Sequence, residues 1–248
     1  MRRLPHLGGG FTQGLMAEPG GVVLESSGQY GRSELRRYRL GSDSYEACAK
    51  LSDEYFGEGI CQVGGSVWQL TWRERKALRW DAASLTLADV ISYNREGWGI
   101  CATGTEVVTS DGTSELVRRD PEALQPRDVV KVRCEGARVQ GLNDLAWSGG
   151  LVWANVACTT AIIGIDLATG EVTDLVDASA AAERHLGDLQ AIMNGIAAPP
   201  WAAVVQPQAA QEFLLTGKGW RWIRQVRLVP DRGRLRAERL LAGAGKFL

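Results

Sequence analysis

The sequence predicts an all-β chain folded as a five-bladed β-propeller, with about four antiparallel strands per blade. Three observations carry that expectation: a short phrase that returns five times, alternating apolar runs between its occurrences, and the lack of any linker in 248 residues. The phrase is a polar or indole residue, then Gly or once Asp, then Leu or Ile. It reads Gln13-Gly14-Leu15, Glu58-Gly59-Ile60, Trp98-Gly99-Ile100, Asn143-Asp144-Leu145 and Asn194-Gly195-Ile196. Its first residues lie 45, 40, 45 and 51 positions apart, the period of a radial array of four-stranded sheets rather than of a helical solenoid. A chain with 30 glycines supplies one or two such phrases by chance, but not five in register. A β-sandwich, the alternative, has no reason to repeat one phrase at so long a period.

The elements follow in order within each repeat. After the phrase comes an alternating run rich in β-branched and aromatic residues: Val22 to Ser26, Val67 to Trp72, Val107 to Asp111, Val152 to Ala157 and Phe213 to Lys218. A third run ends at a turn residue: Arg36 to Leu40, Ala77 to Asp81, Glu115 to Asp120, Ala161 to Asp166 and Gln225 to Val229. Asp166-Leu-Ala-Thr-Gly170 is a turn signal, since Asp and Gly take the conformations a tight reversal needs. A last run closes each unit: Tyr45 to Leu51, Leu85 to Tyr93, Val129 to Cys134, Val172 to Val176 and Leu235 to Leu241. The blades thus span roughly 11–51, 55–93, 96–135, 142–177 and 193–241 of one domain. The stretch from Asp177 to Ala210, with Ala180 to Leu186 as a short helix or loop, reads as a rim insertion. Ring closure by a terminal strand is compatible with the short N-terminus but has no mark there.

Composition narrows the function. With 28 basic against 29 acidic residues, no electrostatic nucleic-acid or membrane partner is indicated, and Arg232 to Arg239 reads as the solvated face of an outer strand. No 18-residue apolar run marks a transmembrane span. Met1-Arg-Arg-Leu-Pro-His-Leu7 has the basic start of a signal peptide without an apolar segment behind it, so the compartment stays open: cytoplasmic, or a mature periplasmic or secreted form. Cys48, Cys61, Cys101, Cys134 and Cys158 show no metal-binding spacing. Cys61 and Cys101 follow the Gly-Ile of neighbouring repeats and read as buried free thiols. With only His6 and His185 in the chain, a histidine-rich zinc site is excluded and a Ser-His-Asp triad is disfavoured. No cofactor or metal is implied.

Nine stretches, in order and at compatible spacing from about residue 5 to residue 228, resemble the signature series of the plant and bacterial type glutaminyl-peptide cyclotransferases, or glutamine cyclotransferases. They are Phe11-Thr-Gln-Gly-Leu15, Glu25-Ser-Ser-Gly-Gln-Tyr-Gly31, Tyr55-Phe-Gly-Glu-Gly-Ile60, Leu70-Thr-Trp72, Glu96-Gly-Trp-Gly99, Ser110-Asp-Gly112, Trp153-Ala-Asn-Val156, Asn194-Gly-Ile-Ala197 and Thr216-Gly-Lys218. The resemblance implies a five-bladed propeller that does not use zinc. It implies conversion of the N-terminal glutaminyl residue of a peptide or protein into pyroglutamyl with release of ammonia. The α-amine attacks its own side-chain amide, so the enzyme must hold the substrate folded and move a proton from the attacking to the departing nitrogen.

Glu58 is the expected shuttle, because it holds the variable first position of the second phrase, at the channel mouth, between Gly57 and Gly59. Glu25 and Glu96 are the other acids inside the motifs, and Glu25 has a structural alternative in orienting the Ser-Ser-Gly-Gln-Tyr loop. Lys218, matched in Thr-Gly-Lys, is expected to set the ionisation of Glu58 or to stabilise the tetrahedral oxyanion. Asn143 completes the catalytic set. Gln13 would bind substrate through its amide, with Trp72 and Trp98 as pocket walls. The resemblance adds Phe11 and Asn155 to these substrate contacts. Asn155 and Asn194 also fit the structural role of buried amides that pair unmet backbone groups, and Asp111 fits a turn anchor.

Two departures bear on the pocket. Ala154-Asn155-Val156-Ala157 lacks the indole of the usual Ala-Asn-Val-Trp, leaving Trp147 or Trp153 to fill the space, and Asn143-Asp144-Leu145-Ala146 stands where Asn-Glu-Leu-Glu is usual. Two other classes remain beside the cyclotransferase: a non-catalytic binding propeller, and a metal-dependent propeller hydrolase of the lactonase kind, with Glu58, Asn143 and Asn194 as ligands.

Overall fold

The computed structural model describes residues 1–183, 192–200, 211–229, 241 and 244. Strand β1 (Arg2–Pro5) precedes a first sheet of β2 (Thr12–Glu18), β3 (Val22–Ser27), β4 (Glu34–Arg39) and β5 (Ala47–Lys50). The second sheet is β6 (Gly57–Val63), β7 (Ser66–Thr71), β8 (Lys76–Asp81) and β9 (Leu87–Ser92), and the third is β10 (Ile100–Ala102), β11 (Val107–Ser110), β12 (Glu115–Arg119) and β13 (Pro126–Lys131). A small hairpin, β14 (Arg133–Cys134) with β15 (Ala137–Arg138), leads to the fourth sheet of β16 (Leu142–Ser148), β17 (Leu151–Val156), β18 (Ala161–Ile165) and β19 (Val172–Asp177). The fifth comprises β20 (Met193–Ala197), β21 (Glu212–Gly217), β22 (Trp222–Arg227) and, as its outermost member, β1. All pairings in the five sheets are antiparallel, and each sheet is one blade of a five-bladed propeller.

The fifth blade closes differently from the sequence expectation. Its fourth strand is the N-terminal segment, with Arg2 opposite Gln225 and Leu4 opposite Ile223, while the run from 235 to 241 lies outside the described residues except for Leu241. Only Leu4 of β1 is buried, so four residues with one inward side chain carry no legible strand pattern. The stretches 184–191 and 201–210, within the expected rim insertion, and the basic cluster from 232 to 239 also lie outside the described residues.

Burial explains why the inner runs are so apolar. The strands nearest the axis are nearly all buried, whereas the outer β9 and β13 are almost wholly exposed. Among the described residues, five apolar clusters fill the spaces between neighbouring blades. One holds Leu24, Leu35, Ile60 and Leu78 between the first and second blades, and another holds Leu4, Leu15, Leu214 and Ile223 between the fifth and first. Asp81 ends β8, Asp120 and Asp166 directly follow β12 and β18, and each carboxylate accepts a backbone N–H two residues on, the reversal expected at Asp166.

At the axis the second position of the phrase sets the spacing. A Cβ on Gly14 would lie 2.8 Å from Gly59 Cα, one on Gly59 would lie 2.5 Å from the Trp98 carbonyl oxygen, and one on Gly99 would strike the Asn143 carbonyl. Neighbouring inner strands therefore meet backbone to backbone. The polar first-position residues sit on one side of this constriction, and a cavity of about 150 Å³ lined by Ile60, Cys61, Cys101, Leu145 and Trp147 lies on the other.

Candidate active site

Glu58 enters the site from the start of β6, where the pairing with β7 shifts register between Gly57 and Ile60. That bulge aims the first-position side chain away from the regular ladder. The residue is 5% exposed, and its carboxyl accepts a hydrogen bond from Gln13 Nε2 at 3.3 Å. Gln13 in turn accepts one from Asn194 Nδ2 at 2.6 Å through its Oε1. Three phrases from the second, first and fifth blades thus form one relay, Asn194 to Gln13 to Glu58. Burial pushes the Glu58 carboxyl well above the ordinary carboxylate range; the Lys218 charge pulls it back, and Asp144, Glu74 and Glu96 raise it further.

Lys218 follows β21 and faces the first blade through an isolated antiparallel bridge to Phe11. Its ammonium stands 4.9 Å from the centroid of the Phe11 ring, and burial lowers its proton affinity against the opposing pull of Glu58. Phe11 continues into an aromatic wall. Phe56 lies 6.2 Å from Phe11, 5.4 Å from Trp72 and 5.4 Å from Tyr30, centroid to centroid, and Arg73 stacks on Trp72 at 4.0 Å. Trp72 is half-buried and is tied to the same segment by its backbone N–H, which donates to the Phe56 carbonyl.

Trp98 precedes β10 and is half-buried. Its ring packs so closely over Gly112 that a Cβ there would lie 2.8 Å from it, and its Nε1 donates to Glu96 at 3.4 Å. Asn143 holds the equivalent position of the fourth inner strand, and its carbonyl accepts the Ser110 hydroxyl at 2.7 Å. Asn155 lies on β17 with 0% exposure, and neither polar atom of its side-chain amide has a hydrogen-bond partner among the described residues. It pairs no unmet backbone group, so the structural role weighed for it is not the one it fills. Asn194, expected to pair an unmet backbone group, donates instead to the Gln13 side chain.

Other expectations change with the geometry. Glu25 does not orient the Ser-Ser-Gly-Gln-Tyr backbone: its buried carboxylate accepts from Thr12 at 2.7 Å, Tyr38 at 2.9 Å and His6 at 3.0 Å, joining the closing N-terminal segment to the first blade. Neither candidate replaces the lost indole at Ala157. Trp153 is buried against Phe213 at 5.1 Å between the fourth and fifth blades, and Trp147 lines the cavity beyond the constriction. Asp111 does anchor its turn, through Thr113 and Arg95, and Cys61 and Cys101 are buried free thiols. Phe56 and Tyr30 join the candidate site unexpectedly, though both sit inside signature phrases, the signal that could have found them, while Asp144, marked in the sequence only as a departure from the usual motif, lies at its floor.

A buried carboxyl, a partly buried lysine, three buried amides and an aromatic wall gathered around one mouth make this the candidate active site of the propeller. Comparison with known proteins makes the class specific. The family model described as glutamine cyclotransferase matches residues 1–228, and the chain belongs to that family. It is 31% identical over 228 residues to glutaminyl-peptide cyclotransferase of Arabidopsis thaliana, covering 90% of this chain and 69% of that one. The crystal structure of Myxococcus xanthus glutaminyl cyclase superposes with a TM-score of 0.80 at 29% identity, covering 92% of this chain and 96% of that one.

Proposed function

We propose that the protein is a glutaminyl-peptide cyclotransferase that converts N-terminal glutaminyl residues of peptides or proteins into pyroglutamyl and releases ammonia, with Glu58 as the proton shuttle. The observation that carries this reading is the environment of Glu58: a buried carboxyl of raised proton affinity, bonded to Gln13 and subject to the charge of Lys218. A carboxyl shifted toward neutrality both accepts and returns a proton at working pH. The α-amine nitrogen bonds to the side-chain amide carbon, Cδ, its proton passes to Glu58, and Glu58 gives a proton to the departing nitrogen as the C–N bond of that amide breaks. Lys218 offsets the charge on the tetrahedral oxygen, while Gln13, Asn143 and Asn155 hold the amide. Phe11, Trp72 and Trp98 exclude water around it.

Mass spectrometry of a Gln-initiated peptide incubated with the protein tests the activity, with loss of ammonia as the expected product signature. The reaction is expected to persist in a chelator, whereas dependence on added calcium would favour a hydrolase and absence of product a binding module. Glu58→Gln should lower kcat on the order of 10²–10⁴-fold with peptide binding retained, and turnover near that of the native protein would remove Glu58 from the role.

A further inference from the structure

Asp144 stands where the other four phrases carry glycine, at the constriction of the channel. Its side chain is fully buried. One oxygen, Oδ2, accepts the backbone N–H of Leu15 at 3.2 Å and that of Ile196 at 2.9 Å, reaching from the fourth blade to the inner strands of the first and fifth. The other, Oδ1, makes no well-formed hydrogen bond among the described residues. Leu15 and Ile196 each lie two residues beyond an amide of the relay, Gln13 and Asn194, and next to the register shifts of β2 and β20. A carboxyl that grips both strands at these points fixes where the two amides meet each other and Glu58.

We propose that Asp144 is a positioning residue of the reaction, which holds the strands bearing Gln13 and Asn194 and, as a second carboxyl at the channel floor, sets the protonation of Glu58. The inference rests on Glu58 being the acid and base. Burial pushes Asp144 up to about 8, against backbone N–H groups of Ile196, Leu145 and Leu15 that favour its anion. The titratable groups that feel its charge are Glu58 from β6 and the Cys101 thiol from β10, both raised by it. The strands β2 and β20 face it with backbone N–H groups, and the relay amides they carry, Gln13 and Asn194, are neutral. Lys218 acts on the Glu58 end of the pair. Two carboxyls so placed lose their protons as a coupled pair, each ionisation opposing the other.

The test compares kcat/KM against pH for the native protein, Asp144→Asn and Glu58→Gln on one Gln-initiated peptide, so that the ionisation of the substrate is common to all. Asparagine keeps the size and an oxygen acceptor but carries no charge. The native profile should show the two ionisations of the pair. In Asp144→Asn the upper one should vanish or fall by about one pH unit or more, because removing a like charge eases ionisation of Glu58. Superimposable profiles would overturn the proposal while leaving Glu58 in place, whereas an active Glu58→Gln would overturn both. If Asp144→Asn does not fold, the infrared carboxyl bands of the native protein supply the second measurement, with Glu58→Gln assigning the Glu58 band. Glu58 should ionise after Asp144, whose charge raises it, and a Glu58 midpoint below that of Asp144 would overturn the proposal.

Discussion

Replacing Glu25 by Gln should destabilise the protein by about 3–5 kcal/mol, the range for breaking a buried ion pair by removing one partner, and the loss should shrink as the pH rises. Glu25 and His6 have fully buried side chains 3.0 Å apart. The other ring nitrogen, His6 Nδ1, lies 2.7 Å from the Trp220 carbonyl oxygen. Both nitrogens thus face acceptors, which is satisfied only by the doubly protonated imidazolium. Glutamine removes the charge and turns an NH2 toward one of three donors, Thr12, Tyr38 or His6. For a chain of this size each kcal/mol moves Tm by about 2–4 °C, so the expected drop is roughly 6–20 °C.

The pH dependence fixes the sign. Burial alone would lower the proton affinity of His6, but the charge and hydrogen bond of Glu25 and the Trp220 carbonyl outweigh it and leave it raised. Burial would likewise raise Glu25, and His6 and Thr12 reverse that, leaving it lowered. The His6 contribution is therefore complete below its ordinary value of 6.5 and is lost as the pH rises through the raised value. That of Glu25 is present above its ordinary 4.5 and is lost as the pH falls through the lowered one. Thermal unfolding followed by circular dichroism at a series of pH values should show the largest gap between native and Glu25→Gln proteins between those ordinary values, narrowing on the alkaline side. A gap that stays constant into the alkaline range would refute the charged pair. The latch also bears on the site: Thr216 Oγ1 lies 3.4 Å from His6 Nδ1, two residues before Lys218, and Gly219 N–H donates to the Gly10 carbonyl. The same variant should therefore lower kcat/KM even where it is fully folded.

Lys218→Met should lower kcat/KM on the order of 10²–10³-fold, as loss of a group that stabilises developing negative charge does. Because the lysine lowers the proton affinity of Glu58, the Glu58 limb of the residual pH profile should move to higher pH; a shift to lower pH would contradict their coupling. Gly59→Ala should fail to fold or lose several kcal/mol, since the new methyl would lie 2.5 Å from a backbone oxygen and 2.8 Å from Gly99 Cα. Gly65→Ala, where a Cβ meets nothing within 4 Å, is the control, and chemical denaturation of the pair gives the difference.

What the sequence makes legible is what repeats. Gln13, Glu58, Trp98, Asn143 and Asn194 are recognisable because each opens the same phrase, and the inner strands they begin are apolar since both faces of each are covered by neighbouring blades. β1 has no such mark: Arg2–Pro5 buries a single leucine, and only its partner β22 makes it a strand. The bond between Asn194 and Gln13 is equally invisible, because it joins residues 181 apart that meet only when the ring closes. The two tryptophans offered for the missing indole share strands with site residues, but lie further along them, past the constriction or in the packing between blades.

The phrase therefore divides its labour by position. Its second residue is chosen by distance, since Gly14, Gly59 and Gly99 leave no space for a side chain between inner strands. Its first residue is free of that constraint and supplies the side chains to which the chemistry is assigned in the proposed reaction. Asp144 breaks the division: it occupies a spacing position yet brings a carboxylate into the axis, grips two neighbouring strands and alters the charge balance of Glu58. Burial without such partners would only raise the affinity of Glu58 for its proton. With Lys218 pulling one way and Asp144 the other, the working pH of the proposed shuttle would be set jointly by the closing blade and by the one repeat that departs from glycine.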